Sequence, residues 1–107
     1  MPLRSSLVLT STADGAGPAQ PLANPGVYNF QLLATAFGGS SVFTLQSATV
    51  DEEDAYKDVI DPYTGEVISI SGNSKIYVTR GGVYFRLFAT SFSGSSGVVG
   101  KFTLASK

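Results

Sequence analysis

The residues that could do chemistry are concentrated in one short acidic segment. Carboxylates bind hard cations such as Ca²⁺, but their spacing here does not match an EF-hand loop and lacks its glycine. A solvated acidic loop, or an electrostatic contact with a basic neighbour, is therefore the expectation. The segment holds seven of the eight acidic residues: Asp51, Glu52, Glu53, Asp54, Asp58, Asp61 and Glu66.

Other catalytic arrangements are missing. A glycosidase needs two carboxyl groups across a cleft, whereas these acids share one segment. The chain has no Cys and no His, which excludes thiolate nucleophiles, Ser-His pairs and Cys or His metal sites. The Gly/Ser runs at 38–41 and 93–96 lack the Gly-Lys-Ser/Thr ending of a phosphate loop. We expect no enzyme activity, no cofactor and no metal site.

Composition predicts one β-rich domain. The chain has 107 residues, of which 43% are hydrophobic, 11% aromatic and 14% charged, against about 25% charged in an average soluble protein. A net charge of -1 gives no general attraction to nucleic acid or an anionic membrane, so we expect neither as a partner. No apolar run is long enough for a transmembrane helix or a signal peptide, which predicts synthesis in the cytoplasm without secretion.

The chain contains an internal repeat. Residues 26–41 return as residues 82–96, and eight of the twelve positions in 30–41 are identical to those in 85–96. The next residues, Phe43-Thr44-Leu45, return as Phe102-Thr103-Leu104. Each copy reads strand, Gly/Ser turn, strand, which predicts a β-hairpin. The copies are either related hairpins in one sandwich or similar hairpins that use the same strand-forming residues.

The spacing of strands and turns predicts an all-β fold, a single antiparallel β-sandwich or jelly-roll-like barrel of about seven or eight strands. Further strands are expected at 67–70 and 75–79, each after a turn, and only 51–57 looks helical. Residues 1–25 form an N-terminal strand or extended arm followed by a loop. Residues 26–107 form the sandwich domain.

Alternation along the strands predicts the core. Asn29, Gln31 and Arg86 lie on the opposite, polar face. The core set is Phe30, Leu32, Phe43, Leu45, Phe85, Leu87, Phe102 and Leu104, with Tyr28, Ala34, Ala36 and Ala89 on the same faces.

An apolar interface is predicted at one end of the sandwich. Four apolar residues at this end alternate with the predicted core residues and are expected to point away from the core: Leu33, Phe37, Phe88 and Phe92. This end is therefore expected to be apolar on both faces of the sheet. Either a partner covers it, or loops and the N-terminal segment do.

The N-terminal segment adds Arg4, Leu7 and Leu9 to the predicted interface. Three prolines between positions 18 and 25 favour an extended chain. One hypothesis is an arm or added strand that reaches a neighbouring subunit. The alternative is that residues 3–10 are the first strand of their own sandwich.

The order of the first repeat copy, the acidic segment and the second copy resembles that of a known group of proteins. The residues concerned are Gly26, Tyr28, Phe37, Gly38, Gly39, Phe43, Leu45, Gln46 and Ser47, then Gly82, Tyr84, Arg86 and Leu87. Over about 26–104 the chain resembles small virion proteins of tailed bacteriophages. It departs from them in having Asp54-Ala55-Tyr56 where a Trp is often found.

The resemblance implies a capsid cement or decoration protein. Such a protein is a non-enzymatic β-rich domain, often a homotrimer, that binds the major capsid protein on the phage head and reinforces the shell. The low charge also favours an oligomer. The alternatives are a tail, fibre or adaptor component, or a carbohydrate-binding module that uses exposed tyrosines. The candidates for sugar stacking are Tyr28, Tyr63, Tyr77 and Tyr84.

Overall fold

The computed structural model describes residues 6–22, 24–71 and 76–106. They form two antiparallel sheets packed face to face, without an α-helix, which confirms the predicted all-β sandwich. No helix among these residues is long and apolar enough to cross a membrane. The strands are β1 (Ser6–Ser11), β2 (Gly15–Ala16), β3 (Gln20–Leu22), β4 (Val27–Leu33), β5 (Val42–Ala48), β6 (Lys57–Asp58), β7 (Ser69–Ile70), β8 (Ile76–Arg80), β9 (Val83–Ser91) and β10 (Val98–Ser106).

The two sheets differ in width and in the length of their strands. The four-stranded sheet has the order β1-β10-β4-β8, and all of its strands have five or more residues. The six-stranded sheet has the order β2-β9-β5-β6, with β3 also pairing with β9 and β7 with β5. Its edges are short strands, which explains why more strands form than the sequence predicted. The helical signal at 51–57 becomes a single 3-10 turn, Glu53–Ala55.

The two copies of the repeat do not form hairpins, so that prediction is wrong. β4 and β5 lie in different sheets, as do β9 and β10, and the copies pair with each other instead. Phe30 of β4 lies opposite Phe102 of β10, and Leu45 of β5 lies opposite Leu87 of β9. The connections 34–41 and 92–97 are longer than common hairpin loops of two to five residues. They can therefore cross the roughly 10 Å between stacked sheets.

These two connections contact each other at one end of the sandwich. The amide of Gly38 donates to Ser95 Oγ at 2.8 Å, and Ala36 and Ser96 exchange backbone hydrogen bonds of 3.2 and 2.9 Å. A Cβ at Gly38 would overlap the backbone oxygen of Ser93. Glycine at this position therefore allows the two connections to touch.

The N-terminal segment belongs to the sandwich rather than to an arm. β1 pairs along β10, with Leu7 opposite Phe102, and both Leu7 and Leu9 are buried in the chain's own core. Their predicted role in an interface is therefore wrong, and the first-strand alternative describes this segment. The expected loop at 12–25 contains β2 and β3, which pair with β9. Pro21 is tolerated there because β3 is an edge strand. Arg4 lies outside the described residues.

The centre of the core is a stack of three phenylalanines from both sheets. The ring centroid of Phe102 lies 4.8 Å from that of Phe30 and 4.6 Å from that of Phe85. The predicted core face is confirmed along β4, β5 and β9. It does not continue beyond the end of β4, where Ala34 is half-buried and Ala36 is exposed. Leu104 is also half-buried, packed against the core. The buried hydrophobic residues are Leu7, Leu9, Leu22, Tyr28, Phe30, Leu32, Phe43, Leu45, Ala48, Tyr56, Ile68, Ile70, Phe85, Leu87, Ala89, Val98 and Phe102.

Candidate interaction surfaces

The four apolar residues predicted to form one interface do not lie together. Leu33 points outward from the four-stranded sheet, and Phe88 points outward from the six-stranded sheet, because each alternates with buried neighbours. These two faces are on opposite sides of the molecule. Phe37 and Phe92 are half-buried and pack against the core at the end where the connections meet.

A β-bulge explains the position of Phe92. Phe43 pairs with Ala89, but the preceding residue, Val42, pairs with Ser91, so Thr90 is an extra residue in β9. An extra residue reverses the alternation beyond it, and Phe92 therefore turns toward the core. Its ring lies 6.0 Å from that of Phe43, edge to face.

The tyrosines suggested for sugar stacking are not equally available. Tyr28 is fully buried and donates its hydroxyl proton to the backbone oxygen of Asn24 at 3.1 Å. Tyr77 and Tyr84 are half-buried. Only Tyr63 is widely exposed among the four, at 80%.

Tyr63 lies at the tip of a hydrogen-bonded turn, residues 61–66, here called the Tyr63 turn. The amide of Gly65 donates to the Asp61 backbone oxygen at 2.8 Å. The amide of Asp61 donates to the Glu66 backbone oxygen at 2.8 Å. The buried carboxylate of Asp61 accepts from the Tyr63 amide at 2.9 Å. The turn is thus held from within, while its aromatic ring faces solvent.

The acidic segment is anchored to the sandwich by Arg86. This residue points outward from β9 between buried Phe85 and Leu87, so its partners lie on the outer face of the six-stranded sheet. Its Nη1 and Nη2 donate to the two Glu53 carboxylate oxygens at 2.9 and 2.8 Å. Its Nε donates to Gln46 Oε1 at 2.8 Å, and Gln46 Nε2 donates to Asp58 Oδ1 at 3.1 Å.

Tyr56 completes this contact. The Arg86 guanidinium lies 4.2 Å from the centroid of the Tyr56 ring, and the Tyr56 hydroxyl donates to Asp51 Oδ1 at 2.8 Å. The stacked Arg86 side chain is only 8% exposed, although the Glu53 side chain is 75% exposed. We call residues 51–58 the acidic platform, because Arg86, Gln46 and Tyr56 fix them against the sheet.

The protonation equilibria follow these contacts. The hydrogen bonds from Arg86, helped by its positive charge, lower the pKa of Glu53 below its ordinary value. Burial, with the hydrogen bond to Asp51, raises the pKa of Tyr56 to about 12. The bidentate bond to Glu53 raises the pKa of Arg86. All three groups therefore keep their ordinary charge states at neutral pH.

The platform exposes negative charge without gathering it into a metal site. Within the described part of the chain, no three acidic side chains lie close enough together to hold a metal ion. Asp51, Glu52, Asp54 and Asp58 are exposed. Sequence reasoning missed Arg86 as the anchor, although a single charged residue in the apolar strand β9 was a visible signal.

The outer face of the four-stranded sheet has the opposite character, and we call it the basic face. The described strands of this sheet carry Arg80 and Lys101 and no acidic residue. One row crosses all four strands: Val8, Lys101, Gln31 and Ile76. Val8 is 48% exposed and Ile76 is 59% exposed.

A groove of about 460 Å³ separates the edge strand β8 from residues 59–62. Val78, Thr79 and Arg80 line one side, and Val59, Ile60 and Pro62 line the other. The acidic platform, the basic face, the Tyr63 turn and this groove are the main features that the described surface offers to a partner. No family model, curated protein or solved structure matches the chain.

Proposed function

We propose that the chain is a non-enzymatic structural protein of a tailed-phage virion. In this proposal it acts as a cement or decoration protein that binds the major capsid protein on the head surface. The sequence support is the resemblance over residues 26–104. Gln46 and Arg86 belong to the resembling positions in different copies of the repeat, and their side chains together hold the acidic platform. The resembling residues thus build a defined exterior as well as a core.

The observation that carries this proposal is the Tyr63 turn. Tyr63 is the most exposed of the large hydrophobic side chains in the described residues, at 80%, and the turn beneath it is held by four hydrogen bonds among residues 61–66. An exposed aromatic residue on a hydrogen-bonded turn is typical of the residues that dominate protein interfaces. Because the turn is already ordered, little conformational entropy is lost when it docks. The turn is therefore our candidate for the contact with the capsid shell.

The test uses phage heads that lack this protein, purified from a strain with its gene deleted. Purified chain is mixed with the heads, and binding is measured by co-sedimentation together with the temperature at which the heads rupture. We expect the chain to sediment with the heads and to raise that temperature. Tyr63→Ala should weaken binding at least tenfold, whereas Val50→Ala, which trims an exposed side chain outside the turn, should not.

Two other outcomes would replace the proposal. Binding to purified tails but not to heads would assign the chain to the tail, as a fibre or adaptor component. A glycan-array signal that is lost in Tyr63→Ala, with no binding to heads, would identify a carbohydrate-binding module. If wild type and Tyr63→Ala bind heads equally well, the Tyr63 turn is not the contact with the capsid.

A further inference from the structure

We infer that the chain self-associates front to back, with the basic face of one copy docked on the acidic platform of the next. This inference specifies the surfaces of the homo-oligomer that belongs to the proposed function. It does not require the capsid, and it leaves the Tyr63 turn free.

The first argument is the separation of charge. The four long strands of the basic face carry two basic residues and no acid, whereas the platform carries five acids and one base, Lys57. The chain as a whole has a net charge of only -1. The chain therefore has few charges, and the positive and negative ones lie on different surfaces. This distribution makes the basic face of one copy complementary to the platform of another.

The second argument is that the platform is fixed in place. Arg86 holds Glu53 with two hydrogen bonds and stacks on Tyr56, and Gln46 holds Asp58. The carboxylates of Glu52 and Asp54 lie within this anchored segment and are exposed. Anchoring reduces the conformational entropy that the segment would lose on binding.

The third argument concerns the composition of the basic face. Val8 and Ile76 are exposed in the same cross-strand row as Lys101 and Gln31. A surface that combines exposed aliphatic side chains with few charges is suited to burial. Arg80 lies on the edge strand of this face, where it can meet a carboxylate of the next copy.

The charge pattern also selects the geometry. If two basic faces met, Arg80 and Lys101 would face like charges, and two platforms would repel each other in the same way. The favourable contact joins different surfaces and is therefore heterologous. Heterologous contacts close into rings when the rotation between copies allows it and otherwise grow as filaments. Because the two surfaces lie on opposite sides of the sandwich, copies joined in this way stack in a row, which favours an open filament over a small closed ring.

The experiment uses two double variants and their mixture. Arg80→Glu with Lys101→Glu reverses the charge of the basic face, and Glu52→Lys with Asp54→Lys neutralises the platform, where three acids then stand against three bases. Self-association is measured by sedimentation velocity over a range of protein concentrations at low salt. We expect wild type to form oligomers, each double variant to associate at least tenfold more weakly, and an equimolar mixture of the two to assemble again.

Restoration in the mixture is the decisive observation, because a variant that merely fails to fold cannot regain assembly. Glu66→Lys is the control, since it reverses the charge of an exposed side chain outside both surfaces and should still assemble. The inference is overturned if wild type stays monomeric at every concentration or if the mixture stays monomeric. It is also overturned if Glu66→Lys abolishes assembly as the platform variant does. Such failures leave binding to heads intact, so they are distinct from failure of the proposed function.

Discussion

Arg86 is the residue on which the acidic platform depends. Replacing it with Ala removes two charged hydrogen bonds to Glu53, one to Gln46 and the stacking on Tyr56. Glu53 is exposed and is hydrated once it is released, so the cost is that of the lost bonds. We expect Arg86→Ala to lower the free energy of unfolding by about 1–3 kcal/mol, measured by urea denaturation.

Arg80 is the matched control for this measurement, because it is an exposed arginine at the end of β8. We expect Arg80→Ala to change the free energy of unfolding by less than about 0.5 kcal/mol. Equal losses for Arg80→Ala and Arg86→Ala would contradict the anchoring role of Arg86.

Glu53 makes part of this anchoring dependent on pH. Its pKa is lower in the folded protein than the ordinary value of 4.5, so the unfolded chain binds more protons in this range. The stabilisation is therefore complete above about pH 4.5 and is lost as the pH falls through the folded pKa. We expect wild type to be more stable than Glu53→Gln at pH 7, and the difference to shrink below pH 4.5. A difference that stays constant from pH 7 to pH 3 would refute this.

The two connections between the sheets depend on close contact at Gly38. A Cβ there would overlap the Ser93 backbone oxygen, whereas a Cβ at Gly39 would have nothing within 4 Å. We expect Gly38→Ala to lower the free energy of unfolding by about 1–3 kcal/mol through overpacking. Gly39→Ala should leave it unchanged or raise it slightly. Thermal unfolding of both variants tests this. Identical midpoints would show that the backbone near Ser93 accommodates the added methyl group without loss of stability.

The strands themselves were largely predictable, and their partners were not. Alternation placed Phe30, Leu32 and Phe85 in the core correctly because one face of each strand is buried. The same alternation is satisfied whether two strands share a sheet or face each other across the core, so it could not distinguish hairpins from cross-pairing. Phe92 was misplaced because one extra residue, Thr90, reverses the alternation without any signal in the local pattern.

The candidate surfaces were harder to predict because they depend on distant contacts. Arg86 was assigned to the polar face of β9, and it does point outward. Its burial comes from Glu53 and Tyr56, which are separated from it along the chain by β6, β7 and β8. Leu33 and Phe88 were grouped by their position in the repeat, but the two copies place those strands in different sheets.

At the scale of the whole molecule, Phe102 packs at the centre of the contact between the two sheets. Its ring packs on Phe30 in its own sheet and on Phe85 in the opposite sheet. We expect Phe102→Ala to lower the free energy of unfolding by about 3–5 kcal/mol, because it leaves a cavity where the sheets meet. Val8→Ala, on the outer face of the same sheet, should cost less than about 1 kcal/mol. Guanidinium denaturation compares them, and a loss below about 1 kcal/mol for Phe102→Ala would contradict this core.

The cross-pairing of the two copies determines when the chain can fold during its synthesis. After residue 71 has been made, β1, β4 and β5 exist. By then β10, which lies between β1 and β4, and β9, the longest partner of β5, have not been translated. Until then β5 has only the short strands β6 and β7 as partners, and β1 has none. The complete four-stranded sheet can therefore form only after β10 has left the ribosome, and such distant pairings are slow to form.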